Sequence, residues 1–306
     1  MSDLYDATTE RRPKRRLFTF WRAFWVLALI AFVWGANGAL QVARDAADPP
    51  GPYVALHEVV GVITVDPERD ALLRALASDP DARALVLRVD SPGGTTTGAE
   101  ALFETVREIS ASKPVVALMG EVAASGGYIA AIASHHIIAR GNTLTGSIGV
   151  VRQRPNISGL LDRLGIRIDE ERSDEFKANP SFVSDGTIAT RAWDEEVLQD
   201  AYGWFRGLVA DRRGLEGAQL DLAANGRVFT GRQALERGLI DQIGGPVEAR
   251  GWLADQGVDP SLPTRRIEKI EIRPLWMRVL GVRLPDGGLA LETRMPIGQR
   301  LYSILN

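Results

Sequence analysis

Ser125 stands in the string GEVAASGGYIAAIAS, Gly120 to Ser134, between two alanines and a Gly-Gly pair, where an apolar run gives way to a helical pattern. Glycines leave backbone amides unshielded, and the amides that open a helix have no partner within it. A hydroxyl at such a junction stands beside ready donors for an anion, which is what acyl transfer requires. The same residues also spell an ordinary turn or N-cap, in which the hydroxyl only satisfies a backbone N–H. A serine hydroxyl attacks only when a neighbour takes its proton, so the available bases decide between the two readings.

The chain contains no cysteine, which removes thiol nucleophiles, disulfides and cysteine-ligated zinc. Its three histidines, His57, His135 and His136, offer no Ser-His-Asp order and no metal site, and read as structural or solvent-facing groups. Arginine stays protonated in a protein, whereas a desolvated lysine can lose its proton near neutral pH. The lysines are Lys14, Lys113, Lys177 and Lys269. Lys14 belongs to a basic N-terminus, and Lys113 sits in the polar turn SASKPVV, where water should reach it. Lys269 falls in the alternating RIEKIEIR, a strand with its charged face outward. Lys177 remains, in the loop-like RSDEFKANPSFVSDGT, whose Phe176 and Phe182 could dry the amine. On spacing alone, a surface lysine is the plainer reading.

The elements that must position these groups follow from periodicity. From Tyr53 onward, short apolar runs alternate with helical patterns: 53–65 strand, 68–78 helix, 84–90 strand, 98–110 helix, 114–120 strand, 126–134 helix and 135–140 strand. Repeated strand-helix-strand units imply parallel strands and an α/β fold, with sites at the carboxyl ends of the strands. Two loops fall there, DSPGG (Asp90 to Gly94) and GEVAASGG.

Composition bounds the rest. A formal net charge of -3 argues against a nucleic-acid partner. Five basic residues between Arg11 and Arg16 precede an uncharged run from Ala23 to Leu40, which predicts a single N-terminal transmembrane helix. The basic flank, residues 1–20, is then cytoplasmic, 21–40 is the anchor and 41–52 is a proline-broken linker. The remainder lies on the far side of a bacterial inner membrane. A cleaved signal peptide is the alternative, but its apolar region is usually shorter.

The motifs DSPGG, ASGGY, GSIGV, EFKANP and GRVFTGRQALERGLIDQIGG occur in this order. Over residues 53–250 the chain resembles the SppA-type signal peptide peptidases, membrane-anchored Ser/Lys serine peptidases with the ClpP/crotonase fold of repeated β-β-α units. The resemblance implies that Ser125 is the nucleophile, Lys177 the general base and Ser147 the hydroxyl that orients the amine. It also implies that backbone amides of Gly93 or Gly94 and of Gly126 form the oxyanion hole, with no metal or cofactor. Expected partners are remnant signal peptides or other unfolded segments, the lipid bilayer, and further copies of the chain whose neighbours complete each site. TTTG after SPGG, and Phe176 where a tyrosine is expected, depart from the family pattern and bear on substrate preference. Residues 251–306 form an extension that beyond about Pro260 mixes apolar and basic residues and could contact lipid, cap a neighbour or cover a groove, with packing or subunit contact the favoured reading. Two other functions fit parts of the sequence: a crotonase-like acyl-CoA enzyme, which leaves Lys177 without a role, and a catalytically silent membrane scaffold.

Overall fold

The structure is a computed structural model that describes residues 21–22, 24–35, 37 and 51–268. The chain divides into two units, Met1–Pro52 and Tyr53–Asn306. In the first, the described residues of the expected anchor are helical. Among the described residues no helix is long and apolar enough to cross a membrane. The expected cytoplasmic flank 1–20, most of the linker 41–52, Lys269 and residues 269–306 of the extension lie outside the described residues, as do residues 23, 36 and 38–40 of the expected anchor.

The second unit is built on one sheet. Its strands are β1 (Tyr53–Ile63), β2 (Ala82–Gly94), β3 (Val115–Ala124), β4 (His136–Ala139), β5 (Leu144–Gly146), β6 (Val228–Thr230), β7 (Gln242–Ile243) and β8 (Thr264–Arg266). The order across the sheet is β6-β5-β3-β2-β1-β8, and β4 pairs with β3 and β7. Every pairing is parallel except β5 with β6. This is the α/β class expected from the alternation of strand and helix.

Alternation within the strands sorts side chains between two faces. One face carries Ala55, Val59, Leu85, Leu87, Val89, Val115, Ala117 and Met119 into the main core. Helices α1 (Pro67–Ser78), α2 (Thr96–Ser110), α3 (Gly126–Ile132) and α5 (Ile188–Arg213), the last preceded by the short α4 (Ser158–Arg163), supply Leu73, Leu102, Ile129 and Phe205 to the same core. Helices α6 (Gly217–Ala223) and α7 (Gly231–Glu236) follow. The other face packs Val54, Ala84, Val116 and Ile138 against Ala249 and Leu253 of α8 (Pro246–Asp255). Both faces of a parallel sheet are usually covered, and here the second cover is thinner. Helix α8 runs through residue 250, and β8 beyond it joins the sheet beside β1.

Two strands run further than their apolar cores predict. DSPGG is the end of β2 rather than a free turn, with Val62 paired to Gly93 and Ile63 to Gly94. A Cβ on Gly94 would lie 1.8 Å from the Ile63 carbonyl oxygen, so only glycine lets the backbones come this close. Likewise β3 continues through GEVAA to Ala124, because its second half finds a new neighbour: Val116–Leu118 pair with β4, and Val122–Ala124 with β5.

Candidate active site

Ser125 is the single residue between β3 and α3. Its backbone sits at φ 52° and ψ −121°, a region that a residue with a Cβ occupies at a cost of about 1–3 kcal/mol. The N–H of Ser125 is anchored by donation to the Gly146 carbonyl at 2.9 Å. The hydroxyl occupies the N-cap position of α3 but makes no capping hydrogen bond. The helix start therefore does not use the oxygen, and Tyr128, three residues on, is fully buried with its hydroxyl donated to the Leu239 carbonyl at 2.8 Å.

Ser147 follows the same pattern on the adjacent strand. Ala124 pairs with Gly146, so Ser125 and Ser147 each come one residue after a matched pair of parallel strands. Neighbouring strands lie about 4.8 Å apart, which sets the two serines side by side. Ser147 also has a positive φ, 50°, with its N–H donated to the Arg227 carbonyl at 2.8 Å. Among the described residues the non-glycine positions with positive φ are Ser125, Ser147 and Ala178, the last adjacent to Lys177.

The glycines of the two loops converge on Ser125. A Cβ on Gly93, whose φ is 112°, would lie 2.9 Å from both the Gly126 nitrogen and the Ser125 Cβ. One on Gly126 would come within 3.2 Å of the Gly94 nitrogen. The Gly93 N–H is already engaged, since it donates to Ser91 Oγ at 3.1 Å, while that hydroxyl donates to the Gly61 carbonyl at 2.6 Å. Of the three amides expected at an oxyanion hole, Gly93 is thus held by the loop itself. Gly126, first in α3, has no helical partner for its N–H.

Lys177 lies at the surface of the single chain. Its backbone N–H closes a turn on Asp174 at 3.1 Å, but the residue is exposed, and Phe176 beside it is 45% exposed. The aromatic rings do not dry the amine within one chain. From 151 to 187 only Pro180 is buried, so this arm has no core of its own to sink a lysine into. Among the described residues no hydrogen bond joins Lys177 to Ser125 or Ser147, whereas the backbones at the two serines adjoin through the Ser125 N–H bond to the Gly146 carbonyl.

The other bases are accounted for. Lys113 is not the solvated residue expected: its amine donates to the carbonyls of Asp79 and, at 2.7 Å, Ala82, and burial lowers its pKa. His57 is buried inside β1, where its Nδ1 donates to the Ile267 carbonyl at 2.9 Å and burial lowers its pKa. His135 and His136 stack on Trp252, with ring centroids 6.4 and 5.2 Å away. A groove of about 920 Å³ opens on the α8 face of the sheet, lined by Leu56, Val86, Leu118 and Val122, but Ser125, Ser147 and Lys177 do not line it. Sequence reasoning passed over Ser91, which holds the glycine turn; nothing in its spacing distinguishes it from other loop serines.

Residues 107–258 match the family model described as peptidase family S49. The protein named "Putative protease slr0021" of Synechocystis sp. is 35% identical over 237 residues, covering 74% of this chain and 83% of its own length. The chain belongs to peptidase family S49. It is a serine peptidase by that membership, and Ser125, Ser147 and Lys177 all lie within the S49 match, whereas Gly93 and Gly94 precede it. Protease 4 of Salmonella typhi is 37% identical over 217 residues, which are 68% of this S49 chain but 32% of that protein. The protein named "Putative signal peptide peptidase SppA" of Enterococcus faecium is 34% identical, covering 56% of this chain and 50% of its own. The chain thus spans half or less of these two relatives. Among solved structures, a ClpP1 mutant from Listeria monocytogenes superimposes with a TM-score of 0.43 at 13% identity, over 63% of this chain and 92% of that one.

Proposed function

We propose that this S49 peptidase is a membrane-anchored, SppA-like endopeptidase with a ClpP/crotonase-like fold. In this reading Ser125 attacks the peptide and Lys177 of a neighbouring copy takes its proton. The observation that carries the reading is the Ser125 backbone: strain at a strand-to-helix turn, with a hydroxyl that caps nothing, is the geometry of a presented nucleophile. The exposure of Lys177 supports a base supplied between copies, since a contact with a second chain would bury what one chain leaves in water.

The chemistry follows from those roles. The neutral amine accepts the Ser125 proton as Oγ bonds to the scissile carbonyl carbon, and the carbonyl π pair moves onto oxygen. The N–H groups of Gly94 and Gly126 receive that oxyanion, each donor contributing about 3 kcal/mol to the barrier reduction. The ammonium then returns its proton to the departing amine, and water attacks the acyl-enzyme with the lysine again as base. The Ser147 hydroxyl accepts a hydrogen bond from the amine and holds it toward Ser125. Substrates are remnant signal peptides and other extended, membrane-associated segments, reached by a catalytic unit anchored through residues 21–40.

Mixing Ser125→Ala chains with Lys177→Ala chains tests the arrangement. Each alone is inactive on an unfolded peptide. Together they form sites that hold an intact serine from one chain and an intact lysine from the other, so cleavage and fluorophosphonate labelling of Ser125 return. Mixtures as silent as their components, under conditions where the two variants demonstrably co-assemble, defeat the shared site.

A further inference from the structure

Ser91 is fully buried near the end of β2, and its hydroxyl stands inside the ladder between β1 and β2. Val60 pairs with Asp90 and Val62 with Gly93, so the single residue Gly61 of β1 faces two of β2, Ser91 and Pro92. Such a bulge interrupts the ladder, and Pro92 has no N–H to contribute. Ser91 Oγ fills the break. It accepts the Gly93 N–H at 3.1 Å and donates its one proton to the Gly61 carbonyl at 2.6 Å. A second carbonyl, that of Gly93, lies further off at 3.4 Å.

The same residue touches the strand and the helix that flank Ser125. Its backbone pairs with Ala123, two residues before Ser125. A Cβ on Gly127, the second residue of α3, would lie 2.6 Å from the Ser91 carbonyl oxygen, so helix and loop are in direct contact there. Two successive glycines leave the backbone unusually free, and Gly93 and Gly94 need anchors to hold one conformation. On the Gly94 side the anchor is Ile63, which pairs with Gly94 and whose carbonyl accepts the Thr95 N–H at 2.9 Å. On the Gly93 side it is the Ser91 hydroxyl. Gly93 sits at φ 112°, and a rotation there re-aims the next peptide, whose N–H belongs to Gly94.

We infer that Ser91 is a positioning residue for peptide cleavage: its hydroxyl, bridging Gly61 and Gly93, fixes the peptide between Gly93 and Gly94 so that the Gly94 N–H stays aimed beside Ser125, where the oxyanion forms. This rests on the reading of Ser125 as nucleophile with Gly94 and Gly126 as oxyanion donors. Ser91 meets no substrate and gains or loses no proton in the reaction. Without the bridge the Gly94 N–H remains but is loosely aimed, and the enzyme forfeits part of the hundred- to thousandfold or so that one oxyanion donor contributes.

Ser91→Ala in the full-length protein is expected to lower kcat on an unfolded peptide about ten- to hundredfold, with KM little changed. A peptide aldehyde, whose adduct with Ser125 carries the oxyanion, should lose affinity by the same factor as kcat/KM. Ser134→Ala is the control. Ser134 is also buried, beyond the far end of α3, and donates to the Ala131 carbonyl at 2.6 Å, so its loss should soften the fold alike and leave kcat within about twofold. A Ser91→Ala enzyme that keeps the original kcat, or that only raises KM, overturns the inference, and so does an equal loss of kcat in Ser134→Ala. Ser125→Ala is assayed alongside. If it is silent, those outcomes strike the role of Ser91 alone, whereas cleavage that survives it overturns the reading of the nucleophile and this inference together. Should Ser91→Ala not fold, hydrogen exchange on the unaltered protein decides: the Gly93 amide should exchange at least about a hundredfold more slowly than an open loop amide, and free exchange there overturns the inference.

Discussion

Replacing Ser125 by glycine and by alanine separates the backbone of this turn from its hydroxyl. Both changes remove Oγ, and each is expected to reduce peptide cleavage at least about a thousandfold. Their stabilities should differ. Alanine keeps the Cβ that is strained at φ 52° and ψ −121°, whereas glycine adopts this conformation freely. Relief of about 1–3 kcal/mol is offset by about 0.5–1 kcal/mol of extra chain entropy in the unfolded glycine variant. The net expectation is about 1 kcal/mol in favour of Ser125→Gly over Ser125→Ala, or about 2–4 °C in Tm for a unit of this size. The assay is thermal and urea unfolding of the two variants at one matched protein concentration, because assembly shifts apparent stability. A glycine variant less stable than the alanine variant refutes the argument that this residue stores strain, and with it the main support for a presented nucleophile.

Gly94→Ala should destabilise the protein by several kcal/mol or prevent folding, since the new Cβ would meet the Ile63 carbonyl oxygen at 1.8 Å; soluble yield and urea midpoints report this. Lys113→Ala should cost about 1–3 kcal/mol, because it leaves the carbonyls of Asp79 and Ala82 without their donor, while leaving kcat unchanged; a kcat effect as large as that of Lys177→Ala would reassign the base. Burial lowers the pKa of His57 in the folded chain, so below the unfolded value of about 6.5 the unfolded state binds more protons. The contribution of His57 to stability is therefore present above about pH 6.5 and is lost as pH falls toward the folded pKa. Urea titrations between neutral and mildly acidic pH should show this loss, and His57→Gln should flatten it.

The parallel sheet was legible because its strands are apolar runs separated by helices with clear periodicity, and Ser125 was legible as a hydroxyl in a glycine-rich strand-to-helix junction. The adjacency of Ser147 was not, since it depends on β3 exchanging β4 for β5 halfway along, which no local pattern announces. Residues 90–94 and 120–124 read as loops because glycine, proline and serine normally end strands, yet the close approach of β1 to Gly94 is what those small residues permit. Of the two readings open for Lys177, exposed or dried by its neighbours, exposure holds within one chain. Phe176 and Phe182 signal burial only if something packs on them, and in a single chain the arm from 151 to 187 gives them little to pack on. Lys113 was misjudged because the carbonyls it holds belong to residues some thirty positions away.

The arm that leaves Lys177 in water has a consequence for how such an enzyme is kept in check. If the proton acceptor belongs to another copy, a lone chain is inert however well its serine is presented, and hydrolysis is a property of the gathering. Output would then climb more steeply than in proportion to abundance at low copy number and fade on dilution. Freshly made chains would be harmless until enough of them had met, a safeguard that needs no propeptide and no inhibitor.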